Sequence, residues 1–137
     1  MTIDEVITTM YASMSFERGT RPDWNAQREV FAPDARLVRV RDGEVFAFDP
    51  ASFRRDYEAM IDSGALTSLF ERELSREVRV TGDIAHVAST YELRTARDGD
   101  LVARAAKSIQ LYRKDQRWWI SAMIWQRVEG ESGNLGR

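Results

Sequence analysis

Few side chains in this sequence can do chemistry by themselves. His86 is the single histidine and there is no cysteine. Thiol nucleophiles, disulfides, zinc–thiolate sites, iron–sulfur clusters and a multi-histidine metal site within one chain are therefore excluded. His86 would be the natural acid–base candidate, because imidazole titrates near neutrality. Tyr11 lies among Ile7, Met10 and Met14 at helical spacing. Its hydroxyl is either a donor to a ligand oxygen or the polar tip of a core tyrosine. Arg39 carries the planar fork that clamps a carboxylate or enolate oxygen. If it points inward with Leu37, its charge requires a partner, and Asp34, Asp56 or Glu71 could be that partner internally. Ser89, Ser108 and Gln110 could orient a ligand or merely bond nearby backbone.

The remaining candidates are bulky. Trp24, Tyr57, Met60 and Tyr91, with Trp119, Met123 and Trp125, read either as core or as walls for a flat hydrophobic molecule. The stretch Phe70-Glu-Arg-Glu-Leu-Ser-Arg-Glu-Val-Arg79 alternates charge sign and reads as a solvated strand. Glu71 or Glu73 would act as a base only if a bulge turned it inward.

The elements that must position these groups follow from capping and periodicity. Thr2-Ile-Asp-Glu5 is a capping signature, and the spacing of Ile3, Val6, Ile7, Met10 and Met14 predicts a helix over 3–17, closed by Gly19. Pro22 and Asp23 start a second short helix ending near Pro33. The period then changes: 35–41 and 44–48 read as strands joined by an Asp42-Gly43 hairpin turn. Asp49-Pro50 opens a third helix, which Gly64 stops. From Leu69 onward four extended segments are separated by Gly82-Asp83, Asp98-Gly99 and Lys114-Asp115-Gln116. Each linker is too short for a parallel crossover, so the four form an antiparallel meander. Residues 129–137 are polar and Gly/Ser-containing and are expected to form a mobile tail.

Alternation assigns faces. On the second of these segments Ala85, Val87, Ser89, Tyr91 and Leu93 form the inner set, which turns His86 outward. On the last two segments neither face is polar, so both must be covered. Helices cover one, and a second subunit is expected on the other. With 137 residues, a net charge of −2 and no basic cluster, the chain is expected to be one cytoplasmic domain that binds neither nucleic acid nor membrane. No apolar run approaches the ~20 residues that span a bilayer.

Helix, short helix, hairpin, helix and four long strands make an α+β order. Together with Tyr11, Pro22-Asp-Trp24, Phe31-Ala-Pro-Asp-Ala35, Arg117-Trp-Trp-Ile120 and Trp125, this order resembles the nuclear transport factor 2-like superfamily over residues 3–128. That superfamily includes ketosteroid isomerase, scytalone dehydratase and the polyketide cyclases (SnoaL-like proteins). The resemblance implies a cone-shaped curved antiparallel sheet with helices on its concave face, and a homodimer through the outer face. It also places Tyr11 at the tyrosine of the isomerase oxyanion hole, Ser108 at its protonated acid and Arg39 at its base. Arginine cannot serve as that base, so ketosteroid isomerase activity is not expected. Ser121-Ala-Met-Ile-Trp125 lacks the acid or histidine of cyclase-type relatives, and an outward His86 disfavours the dehydratase.

The expected function is binding of a small, largely apolar or aromatic molecule with an oxygen or acid group in a conical cavity. The catalytic version is isomerisation, dehydration or cyclisation without a cofactor, its acid–base residue unassigned. The alternatives are a non-catalytic binding module and a dimer scaffold whose cone is filled by its own side chains. An open cavity with Arg39 unpaired inside supports the first, an open cavity without titratable groups the second, and a filled cone the third.

Overall fold

The computed structural model describes residues 1–130. The predicted tail over 129–137 falls outside them, except that Glu129 and Gly130 close the last strand.

Helix α1 (Ile3–Met14) begins in the expected capping box, with the Glu5 amide donating to the Thr2 hydroxyl at 3.1 Å and the Thr2 amide donating to the Glu5 carboxylate at 2.9 Å. It ends at Ser15, earlier than predicted, and Gly19 belongs to the following turn. Its inner stripe of Val6, Ile7, Met10, Tyr11 and Met14 is buried. Helix α2 (Trp24–Val30) is capped by Asp23, and α3 (Pro50–Asp62) by Asp49 in a reciprocal pair with Ser52. Proline at the first position of α3 loses no hydrogen bond, because that amide has no helical partner.

The strands are β1 (Phe31–Arg41), β2 (Glu44–Phe48), β3 (Phe70–Thr81), β4 (Ile84–Arg94), β5 (Leu101–Lys114) and β6 (Arg117–Gly130). Their order across one sheet is β2-β1-β6-β5-β4-β3. The predicted Asp42-Gly43 turn has both residues at positive φ, 52° and 80°, as a two-residue hairpin turn requires. β3 to β6 form the expected meander, but β1 pairs with β6 in parallel, so the sheet is mixed. That pairing closes the sheet around the helices: α1 packs on β3 and β6, and α3 packs on β1 and β2. The result is an α+β fold with a curved sheet, its core between the sheet and the helices.

Two local irregularities decide which side chains enter the cone. β6 carries an extra residue, Ser121, between the pairs Leu111–Ile120 and Gln110–Ala122. Alternation therefore flips there, and Trp118 and Ile120 share the inner face with Met123 and Trp125. β3 has a similar bulge at Leu74, which keeps Glu71, Glu73 and Arg76 all on the inner face.

Candidate functional site

One row of cross-strand partners carries most of the cone's polarity. Phe46, Arg39, Trp125, Lys107, Ser89 and Arg76 follow one another across β2, β1, β6, β5, β4 and β3. Directly paired residues share a face of the sheet, so this row crosses the concave wall.

The deep half of the row is tied together. Lys107 Nζ donates to Glu71 Oε1 at 2.7 Å, with side chains only 2% and 1% exposed. The same ammonium lies 4.3 Å from the ring centroid of Tyr11 and 4.6 Å from that of Tyr91. It is also 3.3 Å from the Met10 sulfur. The Tyr11 and Ser89 hydroxyls are 2.7 Å apart, and Ser89 donates to Glu73 at 2.7 Å. Glu73 in turn accepts from Arg76 Nε through both oxygens, and Arg76 reaches Asp4 on α1. Burial pushes the Tyr11 phenol far above its ordinary range, an effect the Ser89 hydrogen bond only partly opposes. Tyr11 therefore stays protonated, and both carboxylates of this cluster already accept from a cation. General-base work needs a carboxylate free to take a proton. This cluster offers none.

The outer half lies at the mouth. Arg39, 8% exposed, donates to Asp56 of α3 at 3.3 and 3.5 Å and stacks over Phe46 and Phe48 at 5.3 and 5.2 Å. Asp56 is one of the three internal partners expected from sequence, so Arg39 is paired, and the open cavity expected around it is reduced to a small space. Beside Arg39, the buried Trp125 indole nitrogen has no hydrogen-bond partner among the described residues. Arg39, Arg41, Tyr91, Leu93, Trp125 and Arg127 are among the residues enclosing about 20 Å³ there, room for one water-sized group.

The other expected positions divide. Tyr11, Trp24, Tyr57, Ser89, Tyr91, Met123 and Trp125 are buried, and Met60 is half-buried against the core. Trp24 of α2 and Tyr57 of α3 meet edge to face at 6.4 Å, and the Trp24 indole nitrogen is also buried without a hydrogen-bond partner among the described residues. Three positions need correction. Ser108 and Gln110 lie exposed on the outer face, because the inner set of β5 is Ala105, Lys107, Ile109 and Leu111. The apolar majority of that set decided its direction, so the position carried over from the isomerase resemblance faces away from the cone. Trp119 is half-buried on the outer side, because the Ser121 bulge reverses the alternation. His86 is exposed and outward, as alternation predicts.

Lys107 was not among the sequence candidates. The available signal was a lone cation within an otherwise apolar alternating set, together with glutamates on another strand of the same meander.

Among the described residues no group of three or more His, Cys, Asp or Glu could hold a metal, and no helix is long and apolar enough to cross a membrane. The outer face is hollowed into an open depression of about 690 Å³, lined in part by Ala88, Thr90, Ala106, Ser108, Ile124 and Val128.

No protein-family model and no curated protein matches the chain significantly. Solved structures do match. A Nostoc punctiforme protein of unknown function with a cystatin-like fold aligns over 91% of this chain and 87% of its own, with TM-score 0.70 and 15% identity. A nuclear transport factor 2-like protein of unknown function from Silicibacter pomeroyi covers 93% and 99%, with TM-score 0.62 and 23% identity. A candidate ketosteroid isomerase from Shewanella frigidimarina covers 88% and 91%, with TM-score 0.61 and 17% identity. The chain has the nuclear transport factor 2-like, cystatin-like fold.

Proposed function

We propose that this domain is a homodimeric binding module that holds the oxygen or acid group of a small, largely apolar molecule at the mouth of its cone. The observation that carries this reading is the buried indole N–H of Trp125, without a hydrogen-bond partner among the described residues, on a side chain that together with Arg39 lines a space admitting one water-sized group. A buried donor without an acceptor costs about 1–3 kcal/mol, and a ligand oxygen would remove that cost. Arg39 supplies the charge-assisted contact once its long hydrogen bonds to Asp56 are exchanged for shorter ones to the ligand. Phe46, Phe48 and Tyr91 supply apolar surface near it. The tied carboxylates of the deep cluster favour binding over acid–base turnover.

The homodimer is proposed through the outer face, where Ile84, Ile124 and Val128 are 63%, 47% and 59% exposed around small residues of β4 and β5.

A second reading is favoured by the filling of the deep cone: a dimer scaffold that takes no ligand. Thermal shift and calorimetric titration with benzoate and 2-naphthoate, against the matching amides, separate the two. Saturable stabilisation by the acids alone, lost in Arg39→Met and retained in Ser108→Ala, supports the binding module. Absence of any shift leaves the scaffold.

A further inference from the structure

Glu71, Tyr11 and Tyr91 surround the Lys107 ammonium as a host surrounds a ligand. The carboxylate accepts its proton at 2.7 Å, two aromatic faces lie 4.3 and 4.6 Å away, and the Met10 sulfur lies at 3.3 Å. Aromatic faces attract cations through their negative quadrupole, and the attraction strengthens when water is excluded. Here water is nearly absent, since residue exposures are 5% for Tyr11, 4% for Glu71, 1% for Tyr91 and 3% for Lys107.

We propose that the floor of the cone is a binding site for a primary ammonium group, filled in cis by the chain's own Lys107. The walls come from three different elements: Tyr11 from α1, Glu71 from β3 and Tyr91 from β4. Only Lys107, on β5, enters as the guest. The residue types support the assignment. Of 20 basic residues, 18 are arginine and only Lys107 and Lys114 are lysine. At this position the chain departs from its habit, and a compact ammonium fits between two rings where a planar guanidinium is wider.

The tethered guest excludes free amines. A side chain fixed on β5 presents its ammonium at a high effective concentration, so free amines do not displace it from the wild-type protein. The cone is thereby closed by a charged plug that substitution can remove, and its floor becomes a selective pocket once the plug is gone.

Chemical rescue tests this. Lys107→Ala keeps the β-carbon and removes three carbons and the nitrogen, so n-propylammonium replaces what is lost. Lys107→Ala is expected to melt roughly 10 °C below wild type. About 50 mM n-propylammonium is expected to restore at least about a third of that loss, with no effect on wild type. Propan-1-ol at the same concentration is expected to restore none. Equal rescue by the alcohol, or no rescue by the amine, overturns the proposal.

If Lys107→Ala does not fold, wild-type protein carrying ¹⁵N-lysine decides the matter, because only two lysines contribute signals. One ammonium is expected upfield, shifted by the ring currents of Tyr11 and Tyr91 and slow to exchange, and to move toward the ordinary position in Tyr91→Leu. Two solvent-like ammonium signals in the wild type overturn the proposal.

Discussion

Lys107 and Glu71, on strands that are not adjacent in the sheet, meet at 2.7 Å with both side chains nearly excluded from solvent. Two strand spacings separate β3 from β5, about 10 Å. Both side chains must therefore reach along the concave face beneath α1 to touch. Burying an ion pair costs desolvation that the pair only just repays, so its value lies in how the halves depend on each other.

Breaking the pair is expected to cost far more than deleting it. Glu71→Gln should lose roughly 3–5 kcal/mol of stability, because Lys107 is left charged and buried. The double variant Glu71→Leu/Lys107→Met should lie within about 2 kcal/mol of wild type, in either direction. Urea unfolding of the three proteins measures both.

Asp56 is expected to compete with a ligand for Arg39. The pair is long at 3.3 Å and its carboxylate is 33% exposed, so it contributes no more than about 1 kcal/mol. Asp56→Asn keeps an amide oxygen that can accept from Arg39, so it should change the melting temperature little while raising the affinity for an aryl carboxylate several-fold. Unchanged or weaker binding in a titration would place the ligand away from Arg39.

Tyr11→Phe removes one buried hydrogen bond and should cost about 1 kcal/mol near neutral pH. Its phenol pKa is raised in the folded state, so the stability it contributes is complete below pH about 10 and falls as the pH rises beyond that. The phenylalanine variant should lose less stability than wild type between pH 10 and 11. Parallel alkaline limbs in equilibrium unfolding would contradict this.

Glu92 predicts the opposite limb. Hydrogen bonds from Arg94 first and Arg72 second hold its carboxyl below the ordinary 4.5. Its contribution is present above that pH and is lost as the pH falls through the lowered value. Glu92→Gln should flatten the acid side of the stability profile and leave the alkaline side unchanged, as read by denaturation from pH 2 to 8.

Ser108 separates the two faces of the sheet. Ser108→Arg on the exposed outer face should convert the proposed dimer to a monomer in sedimentation velocity without altering the proposed carboxylate binding. A variant that stays dimeric but loses binding would mean that the assigned faces are reversed.

Local chemistry written in consecutive residues determined the order and type of the elements, although α1 and α2 end earlier than their patterns suggest and β1 begins at Phe31, four residues before the expected strand. Thr2 with Glu5, Asp23, and Asp49 with Pro50 start the helices, and Asp42-Gly43 turns the hairpin. Period-two patterning places the four long strands, and the alternation of β4 turned Tyr91 and Ser89 inward and His86 outward. Each of these is decided within a few residues by backbone geometry or by the side-chain period. Three features depend on contacts between distant segments. The parallel pairing of β1 with β6 joins strands separated by most of the chain. The bulge at Ser121 reverses the faces of β6, removing Trp119 from the inner set and bringing in Trp118. Lys107 is buried because Glu71, Tyr11 and Tyr91 converge on it from three other elements. In isolation a lysine reads as solvated, since its charge is costly to bury. Only the assembled cone supplies the carboxylate and aromatic faces that offset that cost and place the charge at the centre of the fold.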